Sequence, residues 1–188
     1  MMNLQSQPMR LRFTVDEYYK MIELGMLKDY EQAEIIEGEL IKNMPIEDRH
    51  GATVDWLNRI LGQRIPDTIL LRVQNPIRLS DYSEPQPDLS LADLTKFDGK
   101  RKPKGNEVLI AIEVSDTTLK YDRDVKLSLY AEAEIPEVWI INLPNNIIEV
   151  HQNPSNGIYQ LAKIFKHGER IKSEVLPDLN LEVDEILF

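Results

Sequence analysis

The sequence predicts an α/β domain in which a mixed central β-sheet is flanked by helices. The length of 188 residues is typical of one domain, which we expect to span residues 1–188. Hydrophobic residues make up 42% of the chain and charged residues 29%, close to the averages of globular proteins. Residues 107–143 have the pattern of a strand, a helix and a strand, and a right-handed crossover would make these two strands parallel neighbours in one sheet.

Two helices are predicted in the first third of the chain. The first spans residues 15–24, because Thr14 and Glu17 form the capping-box pattern of a helix start and Gly25 is placed to end the helix. The second spans residues 48–64, where apolar residues recur at helical spacing until a proline follows.

The strands are predicted from alternating or unbroken apolar runs and from the turn residues between them. Residues 33–42 are expected to form a strand pair or a bent strand, because Gly38 lies at their centre. The remaining predictions are strands over 69–79, 87–94, 107–115 and 138–143, a helix over 122–134, and a hairpin of 147–151 with 158–165 that turns through 153–157.

The composition excludes several kinds of chemistry. The chain has no cysteine, which rules out disulfides, thiolate nucleophiles and cysteine zinc sites, and its histidines are too scattered to imply a zinc site. The sequence also lacks the glycine-rich phosphate loops, the serine nucleophile elbow and the HExxH zinc motif. Carboxylates, lysine and histidine remain, and the carboxylates suit a hard cation bound through oxygen.

The charge balance limits the partners of the protein. There are 22 basic and 32 acidic residues, which gives a net charge of −10, so any site for nucleic-acid phosphate must be local. No apolar stretch approaches the ~20 residues that cross a bilayer, and the N-terminus shows no signal-peptide core. We therefore expect a cytoplasmic protein with no membrane association.

Two carboxylates are predicted to meet on neighbouring strands. If those strands pair antiparallel, a register with Leu94 opposite Glu107 also puts Asp88 opposite Glu113, within the ~5 Å typical of cross-strand partners. Like charges at that distance repel unless a cation or a proton is shared between them. The pair therefore predicts a divalent-ion site, with a turn-forming role for Asp88 as the alternative.

The helix after the second of these strands supplies a lysine. Lys126 lies on the same helical stripe as Asp122, Leu129 and Tyr130, so we expect its ammonium to extend from the sheet-facing side toward Asp88 and Glu113. The alternative is an ion pair with Asp122 on the helix surface, worth roughly 0.2–0.5 kcal/mol.

Several stretches carry a family resemblance in their order and spacing. They are AEIIEGEL at 33–40, His50, EPQPDLSL at 84–91, IEVSDTTLKYDRDVKLSLYAEAEIPEVWIIN at 112–142 and the ending LPDLNLEVDEIL. With them the chain resembles the PD-(D/E)XK nuclease superfamily, and more closely its Uma-type family of putative restriction endonucleases. The resemblance covers nearly the whole chain and implies a restriction-endonuclease-like fold with nuclease activity.

The resemblance also implies roles for particular residues. The superfamily usually carries a lysine two residues after the glutamate, where this chain has Ser115, and in the Uma-type subset the matching lysine is Lys126 on the helix. Asp88 and Glu113, with the Val114 carbonyl, are expected to hold Mg²⁺ or Mn²⁺, which activates a water for phosphodiester hydrolysis.

Glu34 and His50 match the N-terminal motif of the family and are expected to assist the metal or the water, although His50 fits a structural role equally well. Strand alternation predicts that one of Glu34, Glu37 and Glu39 points inward. The expected partner is nucleic acid, with DNA as the first choice, and a homodimer would suit cleavage of both strands.

Two other functions are open from the sequence: a non-catalytic interaction module that retains the nuclease fold, and a metal-dependent hydrolase of another phosphate ester. A run of basic residues over 96–104 suggests DNA binding, but the hairpin geometry puts this run about 20 Å from the carboxylates. It could follow a flanking phosphate or contact a partner subunit, and a solvated loop is the favoured interpretation. The run comprises Lys96, Lys100, Arg101, Lys102 and Lys104.

Overall fold

The computed structural model describes residues 10–28, 33–42, 45 and 47–187. Its helices are α1 (Val15–Glu23), α2 (Asp48–Arg64), α3 (Leu119–Tyr121) and α4 (Leu127–Glu132), with a π-helical turn, Asp122–Lys126, joining the last two. Its strands are β1 (Glu34–Ile36), β2 (Glu39–Ile41), β3 (Ile69–Val73), β4 (Leu89–Asp93), β5 (Val108–Ser115), β6 (Glu137–Asn142), β7 (Ile147–Ser155), β8 (Ile158–Phe165), β9 (Arg170–Lys172) and β10 (Asn180–Glu182).

Six strands form the central sheet in the order β3-β4-β5-β6-β7-β8. The β5–β6 pair is parallel and the other neighbours are antiparallel. The predicted α/β class with a mixed sheet is therefore confirmed, as is the strand-helix-strand crossover over residues 107–143. Each of the two smaller sheets, β1–β2 and β9–β10, is an antiparallel pair.

The two faces of the sheet bury separate cores. Leu57 and Leu61 of α2 pack on one face, together with the C-terminal segment that contains β9 and β10. Tyr130 of α4 and Ile135 pack on the other face. Because strand side chains alternate, Ile112 of β5 faces α2 and its neighbours in sequence face α4.

The first two helices match their predicted positions, and α1 has the full capping box of Thr14 with Glu17. The hairpin between β1 and β2 also matches, since Glu37 and Gly38 both adopt positive φ at its turn. Glu34 is buried whereas Glu37 and Glu39 are exposed, as strand alternation predicts.

Three boundaries differ from the prediction. The strand predicted over 69–79 ends at Val73, because Gln74 adopts a φ of 48° that interrupts the extended backbone. The third helical segment begins at Leu119 and contains a π-helical turn instead of a regular helix from residue 122. The last hairpin turns through Asn156 and Gly157 alone, because strand pairing continues to Ser155.

The β4–β5 register is confirmed at the end that matters for the site. Leu89 lies opposite Ile112 and Leu91 lies opposite Ile110, so one further step puts Asp88 opposite Glu113. Toward the loop the pairing shifts by one residue, with Ala92 opposite Val108, so the predicted pairing of Leu94 with Glu107 is wrong. This bulge leaves the site end of the hairpin in the predicted alignment.

Four of the five basic residues of the segment, Lys96, Lys100, Arg101 and Lys104, are exposed, as a solvated loop requires, but the backbone of the segment is anchored. Pro103 is buried, and its carbonyl accepts a 2.9 Å hydrogen bond from the Arg78 backbone. Lys102 pairs with the buried Glu84 at 2.8 Å. The segment therefore packs along the chain between β3 and β4 and does not extend away from it. Among the described residues, no helix has the length and apolar character needed to span a membrane.

Candidate active site

Asp88 lies just before β4, where its carboxylate joins two other elements. Its Oδ2 accepts a 2.8 Å hydrogen bond from the Val114 backbone N–H of β5 and lies 3.2 Å from Nε2 of His50 in the first turn of α2. The side chains of Asp88 and His50 are 14% and 18% exposed, which makes them the accessible side of the site.

Glu113 and Lys126 meet on the α4 side of the sheet. The Lys126 Nζ lies 3.2 Å from Glu113 Oε1 and 3.1 Å from Glu34 Oε1. All three side chains are less than a tenth exposed. The structure thus brings Glu34, Glu113 and Lys126 into direct contact, and the alternative of a surface ion pair between Lys126 and Asp122 is wrong.

Four further side chains, none of them predicted from the sequence as site residues, complete the site. The Tyr130 hydroxyl donates a 2.5 Å hydrogen bond to Glu113. The hydroxyls of Ser115 and Thr118 each donate a 2.7 Å hydrogen bond to the buried carboxylate of Asp122. Tyr130 and Asp122 share the helical stripe of Lys126, and that stripe is the signal that could have found them.

The cluster carries more negative than positive charge. Four carboxylates, Glu113, Glu34, Asp122 and Asp88, act on Lys126. Burial lowers the pKa of the Lys126 ammonium, but these carboxylates outweigh burial and raise the pKa above its usual range. Lys126 is therefore a permanently charged group at neutral pH.

The pKa values of the neighbouring carboxyl groups are also raised, which disfavours their charged form. Burial, with the neighbouring Asp122, Asp88 and Glu34, raises the pKa of Glu113 well above its ordinary value despite Lys126. Burial likewise raises the pKa of Glu34. The hydrogen bond to Asp88 raises the pKa of His50. Burial and like charge therefore both disfavour ionisation of these carboxyl groups, and an additional cation would favour it.

Some polar atoms of the cluster have no hydrogen-bond partner among the described residues. They are Oε2 of Glu34, Nδ1 of His50 and the hydroxyl of Tyr121, and all three are buried. An unpaired buried oxygen is costly, so the free oxygen of Glu34 is a position at which a water or a ligand would be stabilised.

The donor set suits a magnesium-type ion bound by few protein ligands. Across the described part of the chain, no three acidic or histidine residues converge as a ready metal cage. Mg²⁺ is commonly held by one or two carboxylates, with waters and substrate phosphate completing its shell. Asp88 and Glu113 are two carboxylate residues on neighbouring segments of the sheet that could supply such ligands. The Val114 N–H points to Asp88, and in an extended strand the carbonyl of the same residue faces the same side.

Comparisons with known proteins agree with the fold. The Uma2 family, described as a putative restriction endonuclease, matches residues 15–184. The crystal structure of a putative nuclease belonging to DUF820 from Anabaena variabilis ATCC 29413 is similar with a TM-score of 0.67 and 18% sequence identity, over 93% of this chain and 97% of that one. No curated protein matches the sequence. The family match spans most of the sequence, and the chain therefore belongs to the Uma2 family of putative restriction endonucleases.

Proposed function

We propose that this protein is a metal-dependent endonuclease that hydrolyses phosphodiester bonds of nucleic acid, with DNA as the expected substrate. The observation that carries the proposal is the contact of one buried lysine, Lys126, with two carboxylates, Glu34 and Glu113, beside Asp88. Membership of a family described as restriction endonucleases supports a nuclease-like function.

Asp88, Glu113 and the Val114 carbonyl would hold Mg²⁺ or Mn²⁺. The bound ion would lower the pKa of a water and stabilise negative charge on a phosphodiester oxygen. The ion would oppose the effect of burial on the pKa of Glu113, because a metal ligand must be in its deprotonated form. The Tyr130 hydroxyl fixes the orientation of Glu113 through its hydrogen bond.

Lys126 would neutralise charge that develops on the phosphate in the transition state. Its pKa is raised by the surrounding carboxylates, so it serves as a fixed cation and not as a base. The unpaired Oε2 of Glu34 would accept a hydrogen bond from the attacking water. His50 would hold the Asp88 carboxylate in place through their contact.

The test is divalent-dependent cleavage of supercoiled plasmid by the wild type and by Asp88→Asn, Glu113→Gln and Lys126→Met variants. We expect cleavage with Mg²⁺ or Mn²⁺ and none with EDTA, and a loss of about 100-fold or more in each variant. Glu149→Gln is the matched control, because Glu149 is a buried, ion-paired carboxylate outside the cluster. Equal rates in the cluster variants and the wild type would contradict the proposal.

A non-catalytic interaction module with the same fold is the second candidate. The observation that favours it is the burial of Glu34, Glu113 and Lys126, which is typical of a structural ion cluster. This candidate predicts that the folded wild type cleaves no nucleic acid in either metal. A screen of other phosphate esters under the same conditions would reveal a hydrolase with a different substrate.

A further inference from the structure

A basic cavity of about 630 Å³ opens between α1, β3 and the loop that joins β4 to β5. Of the described residues that line it, Glu84 is the one acid. The cations that line the cavity are Arg72, Arg78, Lys100, Arg101, Lys102 and Lys104. Such a concentration is unexpected in a chain with a net charge of −10.

Some of these cations are already neutralised by carboxylates. Arg101 makes two hydrogen bonds, of 2.7 and 2.6 Å, to Glu107, and Lys102 pairs with Glu84. By contrast, Arg72 and Lys100 form no ion pair with any residue in the described ranges. The cavity therefore keeps positive charge that the protein itself does not neutralise.

Arg72 is the least satisfied of these cations. Its Nε is buried and has no hydrogen-bond partner among the described residues. Ser90 lies directly opposite Arg72 in the β3–β4 pairing, and its hydroxyl is also buried without a partner. A buried guanidinium N–H needs an acceptor, so this pair marks a position that an anion would stabilise.

The cavity lies on the same face of the sheet as the carboxylate cluster. Arg72, Ser90 and Ala111 form one row across β3, β4 and β5, and the row two residues further along contains Asp88 and Glu113. Rows two residues apart are separated by about 7 Å. The Arg72 row and the carboxylate row are therefore neighbours on this face of the sheet.

We propose that this cavity binds a phosphate group of the nucleic acid next to the phosphodiester bond that is hydrolysed at the cluster. The inference rests on the proposed function. Guanidinium groups match phosphate oxygens through paired hydrogen bonds, and Arg72 supplies that group while Lys100 adds a point charge. Contacts of this kind set the position of the strand without reading its sequence. A backbone phosphate and a 5′-terminal phosphate share this chemistry.

The test measures binding separately from cleavage. Fluorescence anisotropy follows a fluorescein-labelled duplex oligonucleotide at several NaCl concentrations, in EDTA, with the wild type, Arg72→Gln and Lys100→Gln. Each variant is expected to weaken binding and to reduce the slope of log affinity against log salt by about 0.9, the value for one lost phosphate contact. Arg59→Gln is the matched control, because Arg59 is an exposed arginine of α2 outside the cavity, over the Trp56 ring.

An unchanged slope in both cavity variants would overturn the proposal, as would a wild type that does not bind the duplex. Lys100 is exposed, so Lys100→Gln tests the cavity without disturbing the core.

Equal affinity for 5′-phosphate and 5′-hydroxyl duplexes assigns the site to backbone phosphate, and a preference for the former assigns it to the terminal group. If the salt slope depends on Arg72 but the protein cleaves no nucleic acid, the phosphate site is supported and the nuclease function is contradicted. If the protein cleaves nucleic acid but the slope is unchanged in the variants, the nuclease function is supported and the phosphate site is contradicted.

Discussion

Glu113 on β5 and Glu149 on β7 are 3% and 6% exposed and lie in one row of the sheet, on either side of Ile140. Both face the helical segment that contains the π-helical turn, which supplies a cation to each: Lys126 to Glu113 and Arg123 to Glu149. Their burial and their strands are nearly equivalent, so the difference between them comes from the other groups around each carboxylate.

The Glu149 carboxylate accepts hydrogen bonds from two neighbouring side chains. Arg123 contacts it through two nitrogens, and Asn142 donates a 2.8 Å hydrogen bond. Burial raises the pKa of Glu149, but the nearby His151 and the hydrogen bonds from Arg123 and Asn142 outweigh burial and lower it to about 2. Glu113 instead shares one lysine with Glu34. The two carboxylates therefore differ in the number of donors that each receives, although their burial is nearly equal.

The largest expected effect is the loss of the single cation from the Glu113 cluster. Lys126→Met leaves two buried carboxylates without a counter-charge, so the free energy of unfolding should fall by about 3–5 kcal/mol. Arg123→Met should cost less, about 1–3 kcal/mol, because Glu149 keeps Asn142 and His151. Urea unfolding of both variants measures the difference. Equal losses would mean that the two clusters are equivalent.

The second largest expected effect is stabilisation by a divalent metal ion, which should depend on Asp88 and Glu113 but not on Glu149. An ion that binds the folded state at a concentration of about 100 times its dissociation constant adds about 2.7 kcal/mol of stability. We expect Mg²⁺ or Mn²⁺ to raise the thermal midpoint of the wild type and of Glu149→Gln. Asp88→Asn and Glu113→Gln should lose that increase. A shift of equal size in all four proteins would remove Asp88 and Glu113 as ligands.

Counted per pH unit, the smallest effect is a pair of opposite pH dependences, measured in EDTA. The raised pKa of Glu113 means that the folded state binds the extra proton, so stability relative to Glu113→Gln should fall as pH rises above about 4.3. The lowered pKa of Glu149 means that stability relative to Glu149→Gln should fall as pH drops from about 4.3 toward 2. Each slope can reach about 1.4 kcal/mol per pH unit.

Urea unfolding at several pH values compares each variant with the wild type. Slopes of the same sign would contradict the contrast between the two carboxylates. The Gln variants keep the shape of the side chain and remove its titration, so each serves as the reference for its own position.

The repetitive parts of the fold follow from the sequence. The strand pattern around Leu89 and Ile112 determines the β4–β5 register, because a slip of one residue would turn the apolar side chains to the wrong face. The same periodicity puts Lys126 on the sheet-facing side of its helix. These two regularities of the sequence are sufficient to predict that the lysine lies close to Glu113.

The remaining features depend on contacts between distant segments. Nothing local in Asp122–Lys126 indicates a π-helical turn, so the separate destinations of Arg123 and Lys126 could not be predicted. An extended hairpin puts the basic loop about 20 Å from the site, but it does not predict which residues the loop contacts. Its return toward β3 depends on the backbone hydrogen bond from Arg78 to Pro103, a contact that no sequence pattern encodes.

The π-helical turn also affects how this chain is compared with its relatives. The Leu127 N–H bonds to the Asp122 carbonyl, five residues earlier, so the turn holds one residue more than an α-helical turn. A relative with a regular helix at this place would need a one-residue gap within 122–126 when the two sequences are aligned. Without the gap, every later helix position would be matched to a neighbour about 100° around the axis, and the counterpart of Tyr130 would be misidentified.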